Sequence, residues 1–154
     1  MSLALEHVVA PDTALPARPG LGEPSRRLNI SVVFTTVEST LAALKAAGAL
    51  AASLGARITL LVPQVVPHPL PLESPPVLLD WNERRFRVIA SQSPVETVVR
   101  LFLCRDSVET IKDALHPKSV VVIGGGSWWP FSREKRLAAT LRRAGHEVVL
   151  ATKE

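Results

Sequence analysis

The sequence lacks residues on which several classes of protein depend. It has one cysteine, Cys104, and no tyrosine among its 154 residues. A single thiol excludes an internal disulfide framework, and a lone cysteine of this kind is most often a buried apolar residue. The four histidines are scattered without the close spacing of metal ligands: His7, His68, His116 and His146. We therefore predict neither a disulfide-stapled fold nor a metal centre.

Strong charge of one sign and long apolar runs are also missing. The formal net charge is +4, and no basic patch interleaved with aromatic residues stands out, so we expect no nucleic-acid partner. No window approaches the roughly 20 apolar residues of a membrane span, and the first residues lack the basic region and apolar core of a secretory signal. With 47% hydrophobic and 21% charged residues, the chain is expected to be one globular domain, without membrane contact and cytoplasmic.

The first 27 residues differ in composition from the rest. They show little hydrophobic periodicity and contain four prolines: Pro11, Pro16, Pro19 and Pro24. We predict a Pro-rich, mostly irregular arm over residues 1–27, followed by a folded domain over residues 28–154. Two interpretations of the arm stay open: a leader without fixed structure, or an arm that packs on a partner chain. The second would use its apolar side chains, Leu3, Leu5, Val8 and Val9.

After the arm, strand patterns alternate with helix patterns. β-branched or apolar runs predict strands over residues 28–36, 57–66, 96–104, 118–123 and 147–152. Helical spacing predicts helices over residues 40–54, 77–90, 106–115 and 132–144. Gly55 and Gly145 stand where helices end, and Asp106 with Glu109 has capping-box spacing. This alternation indicates an α/β fold, a doubly wound parallel sheet of five strands with helices on both faces.

One segment, KSVVVIGGGSWW over residues 118–129, combines a buried-strand pattern with a glycine-rich loop. In open α/β sheets, ligands bind at the carboxyl ends of the strands, and a following helix N-terminus attracts anions. Any binding function is therefore expected at this loop.

No established phosphate or nucleophile motif is complete in this loop. A P-loop needs Lys followed by Ser or Thr after its glycines, and the sequence continues with WWP instead. Gly125 and Ser127 fit a nucleophile elbow, but Trp129 occupies its last glycine position. Gly124 and Gly126 fit the dinucleotide fingerprint, and Trp129 again replaces the third glycine.

Several interpretations of the loop stay open. The glycines could form only a tight turn, or they could hold a nucleotide or another phosphate at the helix N-terminus. Trp128 and Trp129 could cap an apolar cavity, take part in a subunit contact, or pack in the core. Sequence spacing identifies no pair of carboxylates and no nucleophile with an adjacent base, so we predict that the protein is not an enzyme.

The order of elements resembles the universal stress protein family over residues 28–154. The segments that carry the resemblance are STLAALKAAGALAASLGARITLLV, and DSVETIKDAL followed by KSVVVIGGG. The resemblance implies strand order 3-2-1-4-5, a role in stress response and, commonly, a homodimer.

The sequence departs from the pattern of the ATP-binding members of that family. Those members carry an Asp after the first strand, and no Asp follows Thr36 here. They also carry Gly-x2-Gly-x9-Gly-Ser/Thr after the fourth strand. Counting from Gly126, Trp129 and Ala139 replace two of these glycines. The resemblance therefore implies a degenerate member in which ATP binding is not expected.

Together these observations predict a non-catalytic binding or interaction module that forms a homodimer and could bind another protein. The tail strand over residues 148–151 could pair with its mate across a sheet edge. The alternative is a nucleotide-binding domain for ATP, AMP or a dinucleotide. The candidate cofactor-binding residues are Thr36, Val62, Gly124, Gly125, Gly126 and Ser127.

Overall fold

The computed structural model describes residues 3–9, 28–66, 79–93, 95–125 and 132–151. Six strands lie within them: β1 Leu3–Val9, β2 Asn29–Val33, β3 Arg57–Val65, β4 Thr97–Cys104, β5 Val120–Gly124 and β6 Glu147–Ala151. Four helices connect the strands: α1 Val37–Leu54, α2 Leu79–Ser91, α3 Ser107–Ala114 and α4 Arg133–Arg143.

The strands form one sheet in the order β1-β4-β3-β2-β5-β6. The last five of these strands pair in parallel. They correspond to the five predicted strands, and their order is the expected 3-2-1-4-5. The predicted doubly wound α/β fold is therefore confirmed.

The first strand is the main difference from the sequence prediction. Residues 3–9, expected to be part of an irregular arm, form β1 and pair antiparallel with β4, so the sheet gains a sixth strand. Leu3 stands opposite Leu103, and Val9 stands opposite Thr97. The local pattern did not indicate this strand, because Glu6 and His7 interrupt its short apolar run and a proline-rich stretch follows it. Residues 10–27, on which the leader interpretation depends, lie outside the described residues.

The sheet is buried on both faces, because successive strand residues point to opposite sides. Val32 belongs to one core, together with residues of α1 and α2, and its neighbour Val33 belongs to the other, with residues of α3 and α4. The first core contains Leu44, Leu60 and Phe86. Helices therefore cover both faces, as predicted.

Side-chain caps set the helix boundaries. Oγ1 of Thr36 accepts a hydrogen bond from the backbone N–H of Ser39 and starts α1 at Val37, so the preceding strand ends before residue 36. Asp106 and Ser132 cap α3 and α4 in the same way. Gly55 ends α1 with a left-handed φ of 66°, as its sequence position predicts.

Helix α1 is long and apolar enough to cross a bilayer by length and composition alone. In the structure, its side chains Ala43, Leu44 and Ala47 are buried against the sheet. The core buries 33% of this apolar window, so packing accounts for part of its apolar character.

Truncating a core leucine should destabilise the fold far more than truncating a surface one. Leu60 is 0% exposed in the middle of β3, and Leu54 is 53% exposed at the end of α1. We expect Leu60→Ala to lower the free energy of unfolding by about 3 kcal/mol, and Leu54→Ala to lower it by less than about 0.5 kcal/mol. Urea denaturation followed by circular dichroism measures both. Equal losses would contradict the assigned core.

Candidate functional site

The carboxyl ends of β2 and β5 meet at one edge of the sheet. The two strands are parallel neighbours, with Val33 in register with Ile123. The residues that follow them are joined by a hydrogen bond of 3.2 Å from Oγ1 of Thr35 to the carbonyl oxygen of Gly124. This junction is the position at which ligands bind in open α/β sheets.

Gly124 lacks a side chain because α1 occupies the space. A Cβ atom built on Gly124 would overlap the backbone carbonyl of Ser39, in the first turn of α1. Only glycine lets the strand and the helix approach this closely. The end of β5 is therefore covered by backbone atoms of α1.

Thr35 also fixes the turn between β2 and α1. Its backbone N–H donates to Oγ1 of the buried Thr40, at 3.2 Å. Thr35 thus joins α1 on one side and β5 on the other. Sequence reasoning missed Thr35 and Ser39, because their role depends on contacts with a distant strand; the only local signal was the strand-end position of Thr35.

Gly125 lies between the last strand and the last helix. Its backbone N–H donates to the carbonyl oxygen of Ala151 in β6, at 2.9 Å. A Cβ atom on Gly125 would lie 3.2 Å from Cβ of Glu134, in the first turn of α4. The glycine segment therefore passes between the N-termini of two helices.

Both helix N-termini already carry an acidic residue. Glu38 lies in the first turn of α1, and Glu134 lies in the first turn of α4. A carboxylate there interacts favourably with the helix dipole and offsets the partial positive charge that would attract a phosphate. Arg133 and Lys135 flank Glu134, however, so the first turn of α4 has a net positive charge.

The structure brings together three of the six candidate cofactor-binding residues. Thr36 is exposed and caps α1, its neighbour Thr35 bonds to Gly124 at the end of β5, and Gly125 follows that strand. Val62 is buried in β3, where its side chain packs in the core. Gly126 and Ser127 lie outside the described residues, as do Trp128 and Trp129.

The titratable groups of the described residues decide whether a metal site or a nucleophile is present among them. Among them, no group of three His, Cys, Asp or Glu side chains is arranged to hold a metal ion. Cys104 is fully buried at the end of β4. Burial is the main cause that raises the pKa of its thiol, and the nearby charge of Asp106 adds to it, against a lowering by the hydrogen bond with Thr110. Its thiol therefore stays protonated at neutral pH and is a poor nucleophile.

Comparison with known proteins gives a match of structure only. No protein-family model matches the sequence, and no curated protein matches it. A crystal structure of a protein from the universal stress protein family from Burkholderia pseudomallei is similar, with a TM-score of 0.57 and 21% sequence identity. The match covers 85% of this chain and 100% of the other. The chain has a universal-stress-protein-like fold. At this identity the match shows the fold alone.

A methyl group at Gly124 should damage this fold, whereas one at Gly125 should be tolerated. In Gly124→Ala, the new Cβ meets rigid backbone of α1, so we expect the free energy of unfolding to fall by about 3 kcal/mol. In the control Gly125→Ala, the new Cβ would lie 3.2 Å from Cβ of Glu134, a contact that a shift of a few tenths of an ångström relieves, so we expect a loss under about 1 kcal/mol. Urea denaturation measures both. A neutral Gly124→Ala would show that α1 does not pack on β5 as described.

Proposed function

We propose that this protein is a non-catalytic interaction module that forms a homodimer by pairing two copies of β6. The observation that carries the proposal is the edge position of β6. It pairs with β5 on one side, and no strand of the described residues pairs with its other side. An edge strand presents backbone donors and acceptors to a second strand.

The hydrogen bonds of β6 identify the backbone groups that point outward. The N–H of Glu147 donates to Ser119, and the carbonyl of Ala151 accepts from Gly125, so these residues face β5. Because backbone groups alternate in direction along a strand, those of Val148 and Leu150 face the open side. Between them, Val149 is a large apolar residue with 40% of its surface exposed. Pairing two copies would cover both features.

The side chain of Arg142, at the end of α4, covers part of this edge. Its Nη2 donates to the carbonyl oxygen of Val148, at 3.2 Å. A second β6 that paired along this side would have to displace the guanidinium group. Charged side chains on edge strands commonly limit association in this way.

A charge at the centre of β6 should weaken the dimer. We expect size exclusion with light scattering at micromolar concentration to give a dimer for the full chain. Val149→Lys should raise the apparent Kd by about tenfold or more, because two like charges would meet at the interface. Val88→Lys is the matched control, since Val88 is 63% exposed on α2, away from β6. A monomer at all concentrations would refute the proposal.

Removing the side chain of Arg142 should strengthen the dimer. Arg142→Ala frees the carbonyl of Val148, so the dimer should become tighter by several fold, about the net contribution of one hydrogen bond. The same light-scattering titration measures it. A weaker dimer would instead place Arg142 inside the interface.

Nucleotide binding at the junction of β2 and β5 is the second candidate function. It is favoured by one observation: the exposed Thr36 and the two glycines Gly124 and Gly125 come together between the N-termini of α1 and α4. ATP, AMP or a dinucleotide would be the ligand.

Calorimetry discriminates between the two functions. Because the backbone of α1 lies over the end of β5 at Gly124, we expect no heat with ATP, AMP or NAD at millimolar concentration. Saturable heat with any of them, lost in Thr36→Val, would establish the second function.

A further inference from the structure

All of the excess positive charge of the chain lies on α4. This helix has five basic residues and one acidic residue, a net charge equal to the +4 of the whole sequence. The remaining residues therefore sum to zero. The overall composition does not show that this net charge is concentrated on the 11 residues of one helix.

Two arginines form the outward-facing row of α4. Ala138 and Leu141 are buried, and Arg136 and Arg143 point away from them and are exposed. They are seven residues apart, which places them about 10 Å apart along the helix. The neighbouring Arg142 is engaged at the sheet edge with Val148.

An acidic row with the same period follows α3 from its N-cap. The cap residue Asp106, whose Oδ1 accepts from the N–H of Glu109, is exposed, as are Glu109 and Asp113 within the helix. They stand at relative positions i, i+3 and i+7, and Ile111 is buried on the opposite side. Asp106 and Asp113 are again about 10 Å apart along the helix. Lys112 forms an ion pair with Glu109 at 3.6 Å, which leaves the acidic row with the larger charge.

Both rows lie on the same side of the molecule. Helices α3 and α4 cover the same face of the sheet, since Ile111 and Leu141 belong to one core. Each helix connects two parallel strands, so both run in the same direction, antiparallel to the strands. Consider two copies that face each other across a twofold axis, which runs parallel to the helices and midway between α3 and α4. This symmetry would place α3 of one copy against α4 of the other.

We propose that two copies of this chain associate face to face through these helices, with the acidic row of α3 against the basic row of α4. The second copy is the occupant that the charges favour, because one surface carries both signs at one period. Every ion pair would then form twice, as an isologous interface requires. This surface is separate from β6, so the proposal does not rest on edge pairing.

Charge reversal in the full chain tests the proposal. One variant carries R136E/R143E, and the other carries E109R/D113R. Both also carry V149K, so that pairing of β6 does not contribute. Each variant alone would place like charges in contact, and we expect its self-association to weaken by about tenfold or more relative to the V149K chain. In an equimolar mixture, both contacts are attractive again, so a mixed dimer should form with near-original affinity.

Sedimentation velocity with one variant labelled measures the mixed dimer. Raising the salt from about 0.05 M to about 0.5 M should weaken it, because the ions screen exposed charges. The control is R84E/R87E, a matched reversal of two exposed arginines on α2, on the opposite face. It should leave self-association unchanged. Circular dichroism verifies that each variant is folded, and failure of folded variants to form the mixed dimer would overturn the proposal.

Discussion

The packing of α1 on Gly124 is the contact on which the arrangement of the sheet edge depends. Because the Ser39 carbonyl occupies the space of a side chain, the helix begins directly above the end of β5. The hydrogen bonds of Thr35 with Gly124 and Thr40 then hold the turn in place. The usual ligand position of the fold is thus partly filled by the chain's own backbone.

Local sequence patterns predicted the elements that hydrophobic periodicity and capping residues mark. The five parallel strands and four helices follow from periodicity, and the caps at Asp106, Ser132 and Gly55 mark ends that side chains or a left-handed residue can define. Strand β1 was missed because Glu6 and His7 interrupt its short apolar run, which a proline-rich stretch follows. The start of α1 was placed three residues late, since the cap by Thr36 was read as part of a strand.

The candidate site also contains some residues that local sequence patterns indicate and others that only long-range contacts identify. A glycine at the end of a buried strand is recognisable from sequence, and Gly124 and Gly125 do lie at the predicted edge. The roles of Thr35 and Ser39 are set by long-range contacts, so no local pattern indicates them. Val62, another candidate, lies within β3, and its side chain packs in the core between the sheet and the helices. Its contact with a ligand stays a prediction.

The two outer strands of the five-stranded parallel part of the sheet, β4 and β6, are covered to different extents. A whole strand, β1, covers β4, whereas at β6 the side chain of Arg142 covers one carbonyl. Displacing a paired strand means losing a ladder of hydrogen bonds, while displacing a side chain means losing one, worth about 1 kcal/mol net. The β6 edge is therefore the easier of the two to open. Pairing there would depend on backbone hydrogen bonds and apolar contact, which salt affects little, whereas contact between α3 and α4 would depend on exposed charges, which salt screens. Salt dependence consequently separates the two modes of association.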